Sequence, residues 1–313
     1  MSERDEDLPP PSGAQHEIVS GRHRAVVTEV GAGLRELSVG ATPVIDGYPL
    51  DERCSGGRGQ VLAPWPNRIG DGRYSFQGRE GRAALDEPGL ANAIHGLVRW
   101  LPWRLISRTG DTVVLGCVLH PQPGYPWRLG LEVVYRLSDD GLAVTTEATN
   151  LSDSTAPFGL GFHPYLGVGT ATIDPVRLHV PARRRLLSDR RALPTGEVAV
   201  AGSEFDFTAG RPVGPMVLDT CYTDLERHDG AARARLEHPD GSRRVTLWMD
   251  EGFRYLMVFT GDTVNPPERR RRSMAVEPMT CPPDAFRSGR DLIRLDPQAP
   301  WRATWGISVE DGP

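Results

Sequence analysis

The chain has little helical periodicity, few cysteines and no long apolar run. Its four cysteines among 313 residues, Cys54, Cys117, Cys221 and Cys281, are scattered with no CxxC pair. Reduced thiols are expected rather than a disulfide framework. No stretch approaches the roughly 18 apolar residues that span a bilayer, so no membrane association is expected. Residues 1–13 are polar, acidic and proline-rich, without the apolar centre of a signal peptide. A cytoplasmic protein with a disordered tail over residues 1–14 is therefore expected. A net charge of −5 leaves no basic field for nucleic acid. GxGxxG, GxxxxGK[ST] and GxSxG are all missing, so dinucleotide, P-loop and serine-hydrolase readings have no support. His16, His23, His120, His179, His228 and His238 show no metal-ligand spacing.

What is present is mostly strand signal. Leu129, Leu131, Val133, Tyr135 and Leu137 occupy alternate positions, which puts them on one face of a strand. Ser138-Asp139-Asp140-Gly141 reads as a turn, and Leu142, Val144, Thr146 and Ala148 as the returning strand, so 129–149 is expected to be a hairpin. A second hairpin is expected over 232–248 around Pro239-Asp240-Gly241. A third is expected to turn at Asp250-Glu251-Gly252, with Tyr255, Met257 and Phe259 alternating beyond it. Segments 24–39 and 111–119 also have strand character, and residues 282–286 suit one short helical turn because proline fits the first helical positions. Many short strands with turns between them predict a large antiparallel sandwich. It would form a single domain over residues 15–313.

Chemistry can be carried by four polar signatures set in this β pattern. They are Pro66-Asn67-Arg68-Ile69-Gly70, Ile94-His95-Gly96-Leu97, Phe162-His163-Pro164-Tyr165 and Val276-Glu277-Pro278-Met279. Glu277 follows an apolar run and is expected at a strand end facing a cleft; a surface loop is the plainer alternative. His163 titrates near neutral pH and can exchange a proton, or it can be a hydrogen-bonded core histidine, and the same choice stands for His95. Arg68 and Asn67 offer several fixed donors suited to sugar hydroxyls, or a loop-bracing ion pair. Asp219, after Met216-Val217-Leu218 read as a strand, can accept from vicinal hydroxyls or cap a turn. Trp65 and Tyr165 can pack on the apolar face of a sugar or in the core. Arg183–Arg185 and Arg269–Arg272 read as solvated surface loops.

Taken in order, these segments resemble the aldose 1-epimerase (galactose mutarotase) family. The resemblance runs from about Val26 to Val309. It includes Gly72 and Phe76-Gln77-Gly78, Asn92-Ala93-Ile94-His95-Gly96, Leu218-Asp219, Pro283-Asp284-Ala285-Phe286 and Trp305-Gly306-Ile307. It implies an all-β supersandwich with a sugar substrate in an open groove, no cofactor, and a monomer or homodimer. Carried over by position, Glu277 resembles the catalytic base and His163 the acid. His95 and Arg68 resemble the hydroxyl and ring-oxygen contacts, and Asp219 a hydroxyl acceptor. Met257 stands where the family often has a polar glutamine, and His163-Pro164-Tyr165-Leu166 replaces a His-x-Tyr-Phe-Asn pattern. Both departures bear on which sugar is taken. A hexose 6-phosphate, a non-catalytic carbohydrate module and a hydrolase using Glu277 with Asp219 remain alternatives.

Overall fold

The computed structural model describes residues 9–312. Of the expected tail, residues 1–8 lie outside this range. Within the remainder Ser12 is buried, and its carbonyl accepts from Val30 N–H at 3.0 Å.

Two large antiparallel sheets carry the molecule. One has nine strands and is built around Leu129–Ser138, Gly141–Asn150, Pro300–Asp311, Arg243–Met249 and Ala232–Glu237. The expected hairpins over 129–149 and 232–248 both lie in it. In Leu129–Ser138 the odd-numbered residues are buried and the intervening ones are less so, as expected for a strand with one face in the core. The other sheet has eight strands, among them Ala182–Ser188, Asp219–Leu225, Tyr255–Phe259, Met274–Met279 and Gly161–Phe162. Phe162 meets Trp305 of the nine-stranded sheet with ring centroids 5.0 Å apart. A four-stranded sheet contains His23–Thr28 and Leu34–Val39, which cover most of the 24–39 segment expected to be extended. The helical turn falls at Ala285–Ser288.

The third expected hairpin does not form. Arg243–Met249 belongs to the nine-stranded sheet and Tyr255–Phe259 to the eight-stranded one. The turn at Asp250-Glu251-Gly252 therefore carries the chain from one layer to the other. Asp250 fixes it, because its carboxylate accepts from Gly252 N–H at 2.9 Å and from Thr304 N–H at 2.5 Å. Tyr255, Leu256, Met257 and Val258 are all buried, so the alternation read there reflects no single apolar face.

Two arginine clusters are also less solvated than the sequence suggested. Arg183–Arg185 lies inside the strand Ala182–Ser188, with the Arg185 guanidinium 3.6 Å from the Phe205 ring centroid. Arg271 pairs with Asp174 and Asp262 at 2.8 and 2.7 Å and donates to two backbone carbonyls. Residues 216–218 are not a strand; Asp219 opens the strand Asp219–Leu225 instead.

Candidate active site

The residues singled out from the sequence converge on one cavity of about 300 Å³. Asn67, Arg68, His95, His163, Tyr165, Asp219 and Glu277 all border it. Trp65 does not; it sits in the core edge-on to Phe286, centroids 5.4 Å apart.

Glu277 lies inside the strand Met274–Met279 rather than at its end. All six residues of this strand are buried, and the ladder to Tyr255–Phe259 continues past Glu277 to Met279. The carboxyl is thus held by regular backbone on a rigid element. His163 sits between the short strands Gly161–Phe162 and Tyr165–Leu166, both paired with Met274–Met279. That pairing brings His163 Nε2 to 3.3 Å from Glu277 Oε1. His163 Nδ1 and Glu277 Oε2 are buried with no hydrogen-bond partner. Buried polar atoms are normally satisfied, so both atoms are candidates to meet a ligand.

His95 and Gly96 take consecutive positive φ values of 63° and 72°. A Cβ on Gly96 would stand 2.1 Å from the Ala63 carbonyl oxygen, which explains the glycine. The turn lets Asn67 N–H donate to His95 Nδ1 at 3.2 Å, while His95 N–H donates to the Asn67 carbonyl at 2.8 Å. With Nδ1 accepting, the ring proton is on Nε2. The rings of His95 and His163 meet edge to face, centroids 5.3 Å apart.

Arg68 is both a cavity residue and a braced ion pair. Its Nε and Nη2 each donate to Glu87 at 2.9 Å, a bidentate fork of the strong kind. Nη1 stands 3.9 Å from Asp219 Oδ2. Arg99 pairs with Asp86 at 2.5 Å, and Asp86, Glu87 and Arg99 also border the cavity. The sequence reading missed all three. Asp86 and Glu87 lie in an irregular segment beside Pro88, with no periodicity to mark them.

Burial sets the proton affinities. It pushes the Glu277 carboxyl well above its ordinary range, helped by the nearby Asp219 charge and opposed by Arg68. It lowers His163 to about 3, with Arg58, Arg99 and Arg68 adding to the effect. His95 is lowered well below its usual value by burial, then by His163, Arg99 and Arg68. Asp219, at the more exposed edge, is raised by burial against the pull of Arg68. The resting His163–Glu277 pair therefore favours two neutral groups, with the carboxyl holding the proton. Met257 lies opposite Glu277 in the ladder, in an apolar cluster with Leu186, Cys221, Tyr255 and Met279. The polar contact that the resemblance suggests at this place is replaced by a thioether in apolar surroundings.

Comparisons with known proteins agree with this architecture. A family model described as aldose 1-epimerase matches residues 15–308. The uncharacterized protein YihR of Escherichia coli K12 is 32% identical over 297 residues, covering 95% of this chain and 93% of its own length. The aldose 1-epimerase of the same organism is 28% identical over 212 residues, 64% of this chain and 60% of its own. The GalM/aldose epimerase homologue from C. elegans superposes with a TM-score of 0.85 at 16% identity, over 96% of this chain and 99% of that one. Galactose 1-epimerase from Lactobacillus acidophilus NCFM gives 0.81 at 20% identity, over 100% and 98%. At those identities the superpositions establish a shared fold and no more, whereas the match of the family model extends over nearly the whole sequence, so the chain belongs to the aldose 1-epimerase family.

Proposed function

We propose that the protein interconverts the α and β anomers of a free hexose by opening and reclosing its ring. The observation that carries this is the buried contact between Glu277 and His163, with one unpartnered polar atom on each. Ring opening removes a proton from the C1 hydroxyl and delivers one to the ring oxygen. The C1–O5 bond breaks, the aldehyde turns about C1–C2, and closure on the other face returns both protons. A pair that holds one proton between two groups supplies this exchange without net gain or loss.

Burial favours the proton on the carboxyl over the imidazole, and a bound sugar changes that balance. A hydroxyl donating to Glu277 Oε2 stabilises the carboxylate, so the proton passes to His163 across the 3.3 Å contact. The carboxylate then acts as the base and the imidazolium as the acid, each contributing about 10²–10⁴ to the rate. Arg68, His95 Nε2–H, Asn67 and Asp219 offer donors and acceptors around the ring, and Tyr165 also borders the space.

A neutral sugar fits the charges better than a phosphorylated one. The cavity-lining guanidiniums of Arg68 and Arg99 are matched by Glu87 and Asp86, and Asp219 and Glu277 add further acid. The experiment is polarimetry of freshly dissolved α-D-glucose and α-D-galactose, with and without protein. Faster relaxation to the same final rotation is expected, without inhibition by hexose 6-phosphates. Glu277→Gln is expected to keep the fold and lose most of the acceleration. Near-normal rates in that variant would sink the assignment.

A further inference from the structure

Behind the cavity lies a charge that the proposed reaction does not use. Arg58 is 1% exposed; Gly56 and Gly57, just before it in the chain, border the cavity, and Arg58 does not. Its Nη1 donates to the carbonyl and hydroxyl of Ser55 at 3.0 and 3.2 Å. Its Nε and Nη2 have no hydrogen-bond partner. The carboxylate of Asp46 is 3.6 Å from Nη2, beyond a normal hydrogen bond, and also accepts from Ser273 Oγ at 3.1 Å. A guanidinium buried with so few bonds is costly, which calls for a reason.

Its principal neighbour is a ring. The Arg58 Cζ stands 4.7 Å from the centroid of Tyr165. Tyr165 in turn stacks on His163 at 4.9 Å with 18° between planes, and its hydroxyl donates to the Gly56 carbonyl at 3.1 Å. Guanidinium, phenol and imidazole thus form a column that ends on His163. We propose that Arg58 is a positioning residue: through Tyr165 it fixes the plane of the His163 imidazole against Glu277 and stands as a permanent positive charge behind it.

The charges facing His163 single out Arg58. Glu277 faces it from Met274–Met279, His95 from the turn that follows the Asn92–Ile94 pairing with Arg68–Gly70, Arg68 and Arg99 from the cavity walls, and Arg58 with its ion-pair partner Asp46 from beyond Tyr165. Arg68 and Arg99 are hydrogen-bonded to carboxylates, so their fields are largely cancelled. Arg58 has no hydrogen-bonded carboxylate; Asp46, 3.6 Å from its Nη2, offsets its charge in part, and the remainder opposes a second proton on the pair. Only a planar guanidinium can stack in this way; a lysine ammonium carries the charge without the plane.

The proposal takes the roles of His163 and Glu277 from the anomer-exchange reading. Its test is the pH profile of kcat/KM, which reports the free enzyme, for wild type, Arg58→Gln and Arg58→Lys. Arg58→Gln is expected to move the acid limb up by about one pH unit, as for a charge two ring layers away. It should lower kcat by about 10-fold with KM little changed. Arg58→Lys should leave the limb in place yet still lower kcat. An unmoved limb in Arg58→Gln, a loss confined to KM, or full kcat in Arg58→Lys would overturn the proposal. If Arg58→Gln fails to fold, the kcat of Arg58→Lys decides. If wild type itself does not accelerate mutarotation, the functional reading falls and the column is tested by ¹⁵N NMR of the His163 ring, assigned by its loss in His163→Asn. Protonation at higher pH in Arg58→Gln is then the expected result, and coincident titrations would refute it.

Discussion

At the scale of single residues, the site is built from groups that folding holds away from their ordinary charge states. His163→Asn keeps a similar size and removes the titrating ring, so kcat should fall by at least about 10²-fold, the lower end for a positioned proton donor. A change confined to KM would make His163 a binding residue instead. The same burial predicts a pH dependence of stability. His95 and His163 are both depressed in the fold, whereas an unfolded histidine titrates near pH ~6.5. As pH falls below that value the unfolded chain takes up protons that the native state refuses, so stability falls by up to about 1.4 kcal/mol per pH unit for each ring. Glu277, raised in the fold, works the other way: its contribution is lost as pH rises above the ordinary carboxylate range. Calorimetric melting at pH 7 and pH 5 should show a smaller acid-side loss in His163→Asn than in wild type. Equal losses would mean that the ring is not buried neutral.

At the scale of elements, the glycine-rich approach to the site is a fitted part. Gly57 has a φ of +73°, and a Cβ there would stand 3.0 Å from His163 Cδ2. Gly57→Ala should therefore cost roughly 1 kcal/mol or more in backbone strain. It should also push the imidazole off Glu277, lowering kcat by up to about 10² as expected for a small misplacement. Retained kcat with lowered melting temperature would show that the ring can yield. This scale also shows what was legible in the sequence. Tetrapeptides such as Phe162-His163-Pro164-Tyr165 mark their positions because the proline and the flanking apolar residues constrain the backbone locally. Hairpins such as 129–149 are legible because one face of each strand is in water. Glu87 and Arg58 were not, since their partners, Arg68 and Tyr165, lie 19 and 107 positions away and no short pattern records such contacts. The expected hairpin at 250–252 failed for a related reason: a turn signal says that the chain reverses, not which sheet it enters.

At the scale of the whole molecule, stability depends on how the two large sheets are joined. Asp250 ties the crossing turn to Thr304, and Arg227 donates to the carbonyls of Met249, Asp250 and Phe253. Asp250→Ala removes acceptors from two backbone amides and should cost about 1–3 kcal/mol, with kcat little changed because the turn lies outside the cavity. Chemical unfolding and polarimetry of one preparation would check both parts; a loss of kcat in the folded variant would count against this separation of roles.

The cavity is bordered by residues from Gly56 to Glu277, and this sequence span has a consequence in time. During synthesis, at roughly 5–20 residues per second, His163 leaves the ribosome several seconds before the carboxyl that faces it. Pairings of such long range are slow to form. Until they form, the nascent chain holds His163 without the carboxyl that faces it and apolar strands with no cover, so the cavity is assembled only after most of the chain has been made.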